Sequence, residues 1–452
     1  MRLEDALAPW LQEQRWFAGK GRMLRDLAVV ADTEVVAGDP ALRHLLVLVS
    51  HGASADHYQI FVGFRRDLPD WLEHAKIGTL EDGVHAYDAL HDPELTRTLL
   101  RAIAGNETIG SLAFQREPGA EIDTSLDSIV LTAEQSNTSL VYGEESILKV
   151  FRRVFAGPNP DLEVTSALNL LGSQHIAEPY GSVETLMDGV TTTLAILSKY
   201  LRTATDGWTL AATSVRDLYA QDLYESDSVS AADAGGDFSG EAHRLGAATA
   251  EVHRDLAEAF GTDVLPPESL HETAEQMYRR LDLAAAAVPE LARYVDMIGH
   301  AYSALAKINE PVPAQRVHGD YHLGQVMRTE TGWILLDFEG EPATPLAQRR
   351  ARSSPLRDVA GMLRSFDYAA RFQLLTNPDA ERLHGAAREW SRRNSSAFCA
   401  GYAEAGGLDP VANEVLLRAL TLDKAVYEVM YEARHRPSWL QIPLESLADF
   451  PD

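Results

Sequence analysis

The chain has 452 residues, too many for one hydrophobic core, because single cores stop growing at roughly 250–300 residues. Its 45% apolar and 24% charged residues are those of an ordinary water-soluble chain, and a formal net charge of -27 excludes wholesale binding to nucleic acid or anionic lipid, which needs a basic face. The single cysteine, Cys399, rules out an internal disulfide or a cysteine-based zinc site and fits a reducing cytosol; with no signal-like leader and no run near the ~20 apolar residues of a membrane span, a cytoplasmic location is expected.

Residues 1–16 place Leu3, Leu7, Trp10 and Leu11 at helical spacing. After the basic turn AGKGR (18–22), the runs LAVVAD, HLLVLV and HYQIFVGF read as antiparallel strands joined by Gly, Asp and Pro turns. A helix is predicted over 92–105, with Pro93 at its start and Gly105 at its end. These elements make a cap-like unit over 1–105. SIVLTA, SLVYG and ESILKVFRR (128–153) are three short strands, PDLEVTSALNLLG (160–172) is a helix, and PYGSVETL with TTTLAILSKYL (179–201) are strands again. That order is the small lobe of a kinase, placed over 106–203. From 204 to 452 the pattern is helical, interrupted by ESDSVSAADAGGDFSG (225–240), a polar inter-helix loop with no chemistry assigned. The expected fold is α/β (α+β), a eukaryotic protein kinase-like bilobal fold with an additional N-terminal cap subdomain and a mainly helical C-terminal lobe.

The chemistry concentrates in VHGDYHLGQVMRTETGWILLDFEGEP (317–342). WILLDF (333–338) reads as a buried strand delivering Asp337 at its end, while His318 and Asp320 sit on a loop and Gln325 follows five residues after Asp320. Two carboxylates and an amide oxygen on a loop and hairpin suit phosphoryl transfer. Asp320 would accept the hydrogen bond of the attacking hydroxyl and hold it in line, and Gln325 with Asp337 would hold Mg²⁺, a hard ion that prefers oxygen. HGD alone recurs by chance; its spacing from Gln325 and Asp337 carries the reading. Upstream, Lys149 alternates with Leu148 and Val150 in a strand and is placed to meet the α/β-phosphates of ATP, with Glu163 on the next helix, or Glu178, as its ion-pair partner. The turn EQSNTS offers Ser136, Asn137, Thr138 and Ser139 to phosphate oxygens, although no GxGxxG is present. In SKYLRTATDGW (198–208), the backbone at Lys199 and Leu201 is the expected hinge against adenine.

HGD, four residues, then an amide, followed by a strand ending in Asp, resembles the aminoglycoside phosphotransferase and choline kinase superfamily. That family carries Asn where this chain has Gln325. The family's HGD histidine implies a bracing role for His318; His322 is unassigned. A longer set of segments, QRWFAGKGR, AEQSNTSLVYG, ILKVFRR, TDGW, HGDYHLGQVMR, DFEGEP, SPLRDVAGMLRSFDYAA and LDKAVYEVMYEARHRPSWLQIPL, resembles bacterial maltokinases. The resemblance implies transfer of the γ-phosphate of ATP to the anomeric hydroxyl of maltose, giving maltose 1-phosphate for α-glucan synthesis, and names trehalose synthase as a partner.

A sugar site needs carboxylates and an aromatic face. DKAVYEVMYEARHRPSWL puts Tyr427, Tyr431 and Arg434 on one helical stripe and Glu428 with Glu432 on the next, then Trp439 beyond Pro437. Glu428 and Trp439 are the preferred sugar contacts; a helix packed by its aromatics is the plain alternative. Asp358 either bonds a sugar hydroxyl or braces the catalytic loop, Arg357 is assigned to bracing, and Arg364 is placed to meet a phosphate. RRVF after Lys149 and RRARS (349–353) read as solvated charges. Two other readings stay open: the same fold phosphorylating the 6-hydroxyl of a monosaccharide such as glucosamine, and a non-catalytic nucleotide-binding partner of trehalose synthase.

Overall fold

The computed structural model describes residues 2–20, 24–51, 54–131, 136–224, 231–232, 237–341 and 344–450. Two compact units result, Met1–Asn169 with Ala177–Arg202, and Leu170–Ile176 with Thr203–Asp452.

The first unit opens with α1 (Leu3–Glu13), then β1 (Asp26–Val36), β2 (Ala41–His51), β3 (Ser54–Arg65), β4 (Lys76–Thr79) and β5 (His85–Asp88) in the antiparallel order β1-β2-β3-β5-β4. The helix α2 (Pro93–Gly105) ends on Asn106, which adopts the left-handed conformation that stops it. A second sheet follows from β6 (Thr108–Ile109), β7 (Leu112–Arg116), β8 (Ser128–Leu131), β9 (Thr138–Tyr142) and β10 (Ser146–Val150), completed by β12 (Pro179–Met187) and β13 (Val190–Lys199); β11 (Arg153–Val154) and the helix α3 (Pro160–Leu170) lie between. Its order is β6-β7-β12-β13-β10-β9-β8.

The two segments separated at residue 105 on sequence share one core. Side chains alternate across a strand. Leu45, Val47 and Val49 of β2 therefore face α1 through Leu7, Trp10 and Leu11, whereas Leu42 and Leu46 face Leu99 and Ile103 of α2 and Leu148, Val150 and Leu197 of the second sheet. β11 also pairs directly with β3, joining Arg153 to Tyr58 and Val154 to His57. The Gln59 amide donates to the carbonyls of Phe151 and Leu194 at 2.7 and 2.6 Å, and its Oε1 accepts from His44 Nε2 at 3.0 Å. Arg152, read on sequence as a solvated cation, is 1% exposed; it pairs with Asp88, donates to Thr138 Oγ1 and lies over the Trp16 ring. The alternation that placed Lys149 did not extend past Val150, where the strand ends and the chain turns inward.

The second unit contains β14 (Thr205–Asp206), α4 (Gly207–Tyr224), α5 (Ser239–Phe260), β15 (Thr262–Leu265), α6 (Pro267–Ala287), α7 (Val295–Leu305) and β16 (Val312–Gln315). A hairpin of β17 (Val326–Arg328) and β18 (Trp333–Leu335) follows, then α8 (Leu346–Arg349), α9 (Leu356–Phe372), α10 (Ala380–Glu404), α11 (Glu414–His435) and α12 (Gln441–Leu447). α9 packs between α10 and α11, and α10 against α5. Phe238, at the end of the polar 225–240 stretch, is buried among Trp333, Phe366 and Trp390. That anchor is the one large apolar residue of its segment. No helix of the described residues is long and apolar enough to cross a membrane.

Candidate active site

The loop after β16 is held from below by α9. Asp358, in the first turn of that helix and 2% exposed, accepts the backbone N–H groups of His318 and Gly319 at 2.7 and 2.9 Å. It also accepts from His253 Nε2 of α5 at 3.0 Å, and His253 Nδ1 meets the Tyr402 hydroxyl at 2.8 Å. Burial alone would raise the Asp358 carboxyl, but the hydrogen bond from His253 and the Gly319 N–H hold it below the usual range. Of the two sequence readings for Asp358, the buried bracing role is the one realised; no sugar hydroxyl reaches a carboxylate so enclosed. Arg357, assigned to bracing, is exposed, one position before Asp358 on α9.

His318 donates from Nε2 to the Leu336 carbonyl at 2.8 Å and turns Nδ1 toward the Asp320 N–H at 3.4 Å. It thus ties the loop to the strand that follows. Gly319 has φ +86°, a conformation that costs a side-chain-bearing residue roughly 1–2 kcal/mol. A Cβ on Gly361 would come within 2.6 Å of the Tyr321 carbonyl, so only glycine lets α9 lie this close beneath the loop. Asp320 emerges half-buried from a segment fixed on both sides.

Leu323–Gln325 forms a single 3-10 turn, capped by His322 Nδ1 accepting from the Gly324 N–H at 3.0 Å. Burial lowers the His322 imidazole's affinity for a proton. The Gln325 carbonyl accepts from the Leu336 N–H at 2.9 Å, and its side-chain amide lies 3.3 Å from Asp337 Oδ2. The strand predicted through 338 ends at Leu335. Asp337 follows in a turn with φ +65°, left-handed backbone that non-glycine residues adopt where surrounding structure imposes it. A half-turn of the Gln325 amide presents its oxygen beside the Asp337 carboxylate. This pair of converging, half-buried oxygen donors fits Mg²⁺, and the extra methylene of Gln over Asn does not keep it from reaching Asp337.

The structure adds a group that sequence reasoning passed over. Lys424 of α11 sets Nζ 3.8 Å from Asp320 Oδ1 and 3.2 Å from Glu341 Oε1, over the Tyr427 ring. Burial works against its charge, but Glu341 and Asp320 raise its affinity for a proton. In sequence its position four residues before Glu428 looks like a surface ion pair, which hid it.

The α11 residues divide. Glu428 turns inward and takes Arg364 Nε at 2.8 Å; burial raises its carboxyl and Arg364 works against that rise. Arg364, expected to meet a phosphate, is 2% exposed and tied to Glu428, Asp367 and Ser446. Tyr427 and Tyr431 stack at 6.2 Å, and Tyr431 continues onto His435 at 4.6 Å. The cation joining this stripe is Arg436, between the Tyr431 and Trp439 rings, and not Arg434, which is exposed. Trp439 also meets Phe372 of α9 at 4.9 Å.

In the first unit Lys149 is half-buried in β10, paired with Ser139 and Ile196, its Nζ 5.4 Å from the Phe151 ring centroid. Glu163 is half-buried in the first turn of α3. Residues 134 and 135 of the phosphate turn lie outside the described residues. Thr138 and Ser139 belong to β9 and are buried, the Thr138 hydroxyl occupied by Arg152; the turn proper keeps Ser136 and Asn137. At the expected hinge, the Lys199 N–H is taken by the Glu178 carbonyl and the Tyr200 N–H by Glu145, so Leu201 is the better placed of the two named positions.

Residues 10–92 match the maltokinase N-terminal cap domain, and residues 222–394 match the phosphotransferase enzyme family, which spans the loop, hairpin and brace just described. These two matches support a maltokinase-like identity for the chain. Two glucosamine kinases are relatives of this chain. The protein from Streptacidiphilus jiangxiensis is 29% identical over 365 residues, 78% of this chain and 80% of that protein. The one from Mycolicibacterium smegmatis is 29% identical over 354 residues, 75% of this chain and 81% of that protein. A solved glucosamine kinase, in complex with glucosamine, ADP and inorganic phosphate, covers 99% of both chains with a TM-score of 0.70 at 22% identity, a likeness of fold.

Proposed function

We propose that this phosphotransferase is an ATP-dependent sugar kinase that phosphorylates the anomeric hydroxyl of maltose. The observation that carries the kinase reading is the convergence of Gln325 and Asp337 at 3.3 Å on a segment locked to the Asp320 loop through His318. The maltokinase-type cap over 10–92 supports maltose as acceptor.

In this reading Asp320 accepts the hydrogen bond of the sugar hydroxyl and aims its oxygen at the γ-phosphorus. The new O–P bond forms as the bond from that phosphorus to the β-phosphate bridging oxygen breaks, and the hydroxyl proton passes to Asp320 late, because such transition states are loose. Gln325 and Asp337 hold Mg²⁺, which supplies charge neutralisation at the phosphates. Lys149, positioned by Glu163, binds phosphate oxygens; Ser136 and Asn137 contribute turn donors, and the backbone at Leu201 meets adenine. On the acceptor side Tyr427, Tyr431 and Trp439 offer the aromatic face, and Glu428, steered by Arg364, offers its second carboxylate oxygen.

ADP release from ATP and Mg²⁺ should depend on maltose and fall about 10²–10⁴-fold in Asp320→Ala. Retained turnover in that variant would overturn the assignment of Asp320. A second reading, phosphorylation of glucosamine at its 6-hydroxyl, draws on the two curated relatives of that name. A sugar panel in a coupled ADP assay, with the product's phosphorylated position read by NMR, separates the two.

A further inference from the structure

Lys424 is the cation nearest Asp320 on its own element and stands between two carboxylates from different segments, Asp320 at 3.8 Å and Glu341 at 3.2 Å. Tyr427 supports this arrangement from one turn along, its ring under the ammonium at 4.9 Å. The side chains are 30% exposed for Lys424, 23% for Asp320 and 16% for Glu341, so solvent screens the trio only in part. The other charges of this face have partners: Glu428 with Arg364, and Asp367 with Arg364 and Arg371. Among the ion pairs of the described residues, Asp320 and Glu341 share Lys424, which leaves the trio one negative charge in net. Without the ammonium it would carry two.

We propose that Lys424 determines acceptor specificity: it neutralises the Asp320–Glu341 pair so that the site takes an uncharged sugar hydroxyl and disfavours an amino sugar. The inference rests on the sugar-kinase reading and adds a named discriminator to it. An ammonium on the acceptor must either lie beside a like charge or displace Lys424 from the carboxylates, and a neutral sugar does neither. Both routes weaken a cationic acceptor through the same residue.

The test compares kcat/KM for maltose and for glucosamine, at a mildly acidic pH where the amine is charged, in wild type, Lys424→Met, Lys424→Arg and Glu341→Gln. The glucosamine-to-maltose ratio should rise about tenfold in Lys424→Met, stay within about twofold in Lys424→Arg, and fall in Glu341→Gln, where the remaining ammonium is no longer divided. An unmoved ratio in a Lys424→Met protein that melts like wild type overturns the proposal. Should that variant not fold, wild type still decides. Glucosamine should inhibit maltose phosphorylation more strongly as the amine loses its proton, with N-acetylglucosamine as the flat uncharged control; equal or stronger inhibition by the cation refutes the role. A wild-type chain that phosphorylates neither sugar refutes the sugar-kinase reading itself, whereas turnover with an unmoved ratio refutes only the part given to Lys424.

Discussion

His253 and Asp358 form a hydrogen bond of 3.0 Å inside the second unit, and the same carboxylate carries the backbone of the Asp320 loop. Removing the acceptor strands two backbone donors and one imidazole donor. Asp358→Ala should lower stability by about 3–5 kcal/mol and collapse kcat. His253→Phe, which keeps a ring but no donor, should cost about 1–3 kcal/mol and lower kcat with little change in nucleotide KM. Asp358's folded-state affinity for protons is depressed, so its contribution is present above the ordinary carboxylate range and is lost as pH falls through the depressed value. Melting curves of Asp358→Asn should accordingly show a shallower acid limb than wild type.

Replacing Gln325 by Ala removes one of the two oxygens assigned to Mg²⁺. The metal concentration giving half-maximal rate should rise about tenfold or more, with maltose KM nearly constant. Gln325→Asn tests reach instead of chemistry. Its shorter side chain must move to meet Asp337, so its metal requirement should fall between the two. Identical metal titrations for all three proteins would remove Gln325 from the site.

His44 gives the first unit a pH response. Burial lowers its imidazole to about 4, outweighing the hydrogen bond to Gln59 Oε1, which works the other way. The folded value lies below the unfolded value of about 6.5, so the stability due to neutral His44 is present above that unfolded value and declines as pH drops toward 4. His44→Gln cannot titrate. Its melting temperature should therefore change less between neutral and mildly acidic pH than that of wild type, measured by circular dichroism.

The buried Arg152–Asp88 pair joins the cap to the end of the Lys149 strand. Asp88→Ala leaves a guanidinium buried without its charge partner and should lower the urea midpoint by the equivalent of about 3–5 kcal/mol. Because Arg152 lies three residues from Lys149, ATP KM should rise more than maltose KM. Equal changes in both would mean the pair serves stability alone.

Sequence reasoning was strongest where local pattern governs structure. Short apolar runs bounded by turns located β1–β3, β10, β12 and β13 to within a few residues, and Pro93 and Pro160 marked the starts of α2 and α3. It failed where a side chain's surroundings come from distant segments. Arg152 looks solvated beside Arg153 until Asp88 and Trp16, both more than sixty residues away in sequence, enclose it. Lys424 and Glu341 are 83 positions apart, so nothing local announces their meeting. Asp358 and Arg357 are neighbours whose fates differ only because α9 buries one face, and a helix's inward face is set by what packs on it. Asp337 was placed at a strand end by hydrophobicity, whereas Leu336 leaves the ladder to bond Gln325 and the backbone then reverses hand.

The shared core of the first unit also bears on how the chain is made. Leu42, Leu46, Phe61, Leu99 and Ile103 find their partners on residues that the ribosome adds later, from Leu112 to Leu197. The cap sheet therefore emerges with one apolar face uncovered, and it waits through synthesis of the Lys149 strand before that face can close. A nascent chain halted between these segments should bind chaperones and resist folding, and a chain begun at residue 106 would expose the complementary face and aggregate. The cap is thus half of a folding unit rather than a detachable appendage.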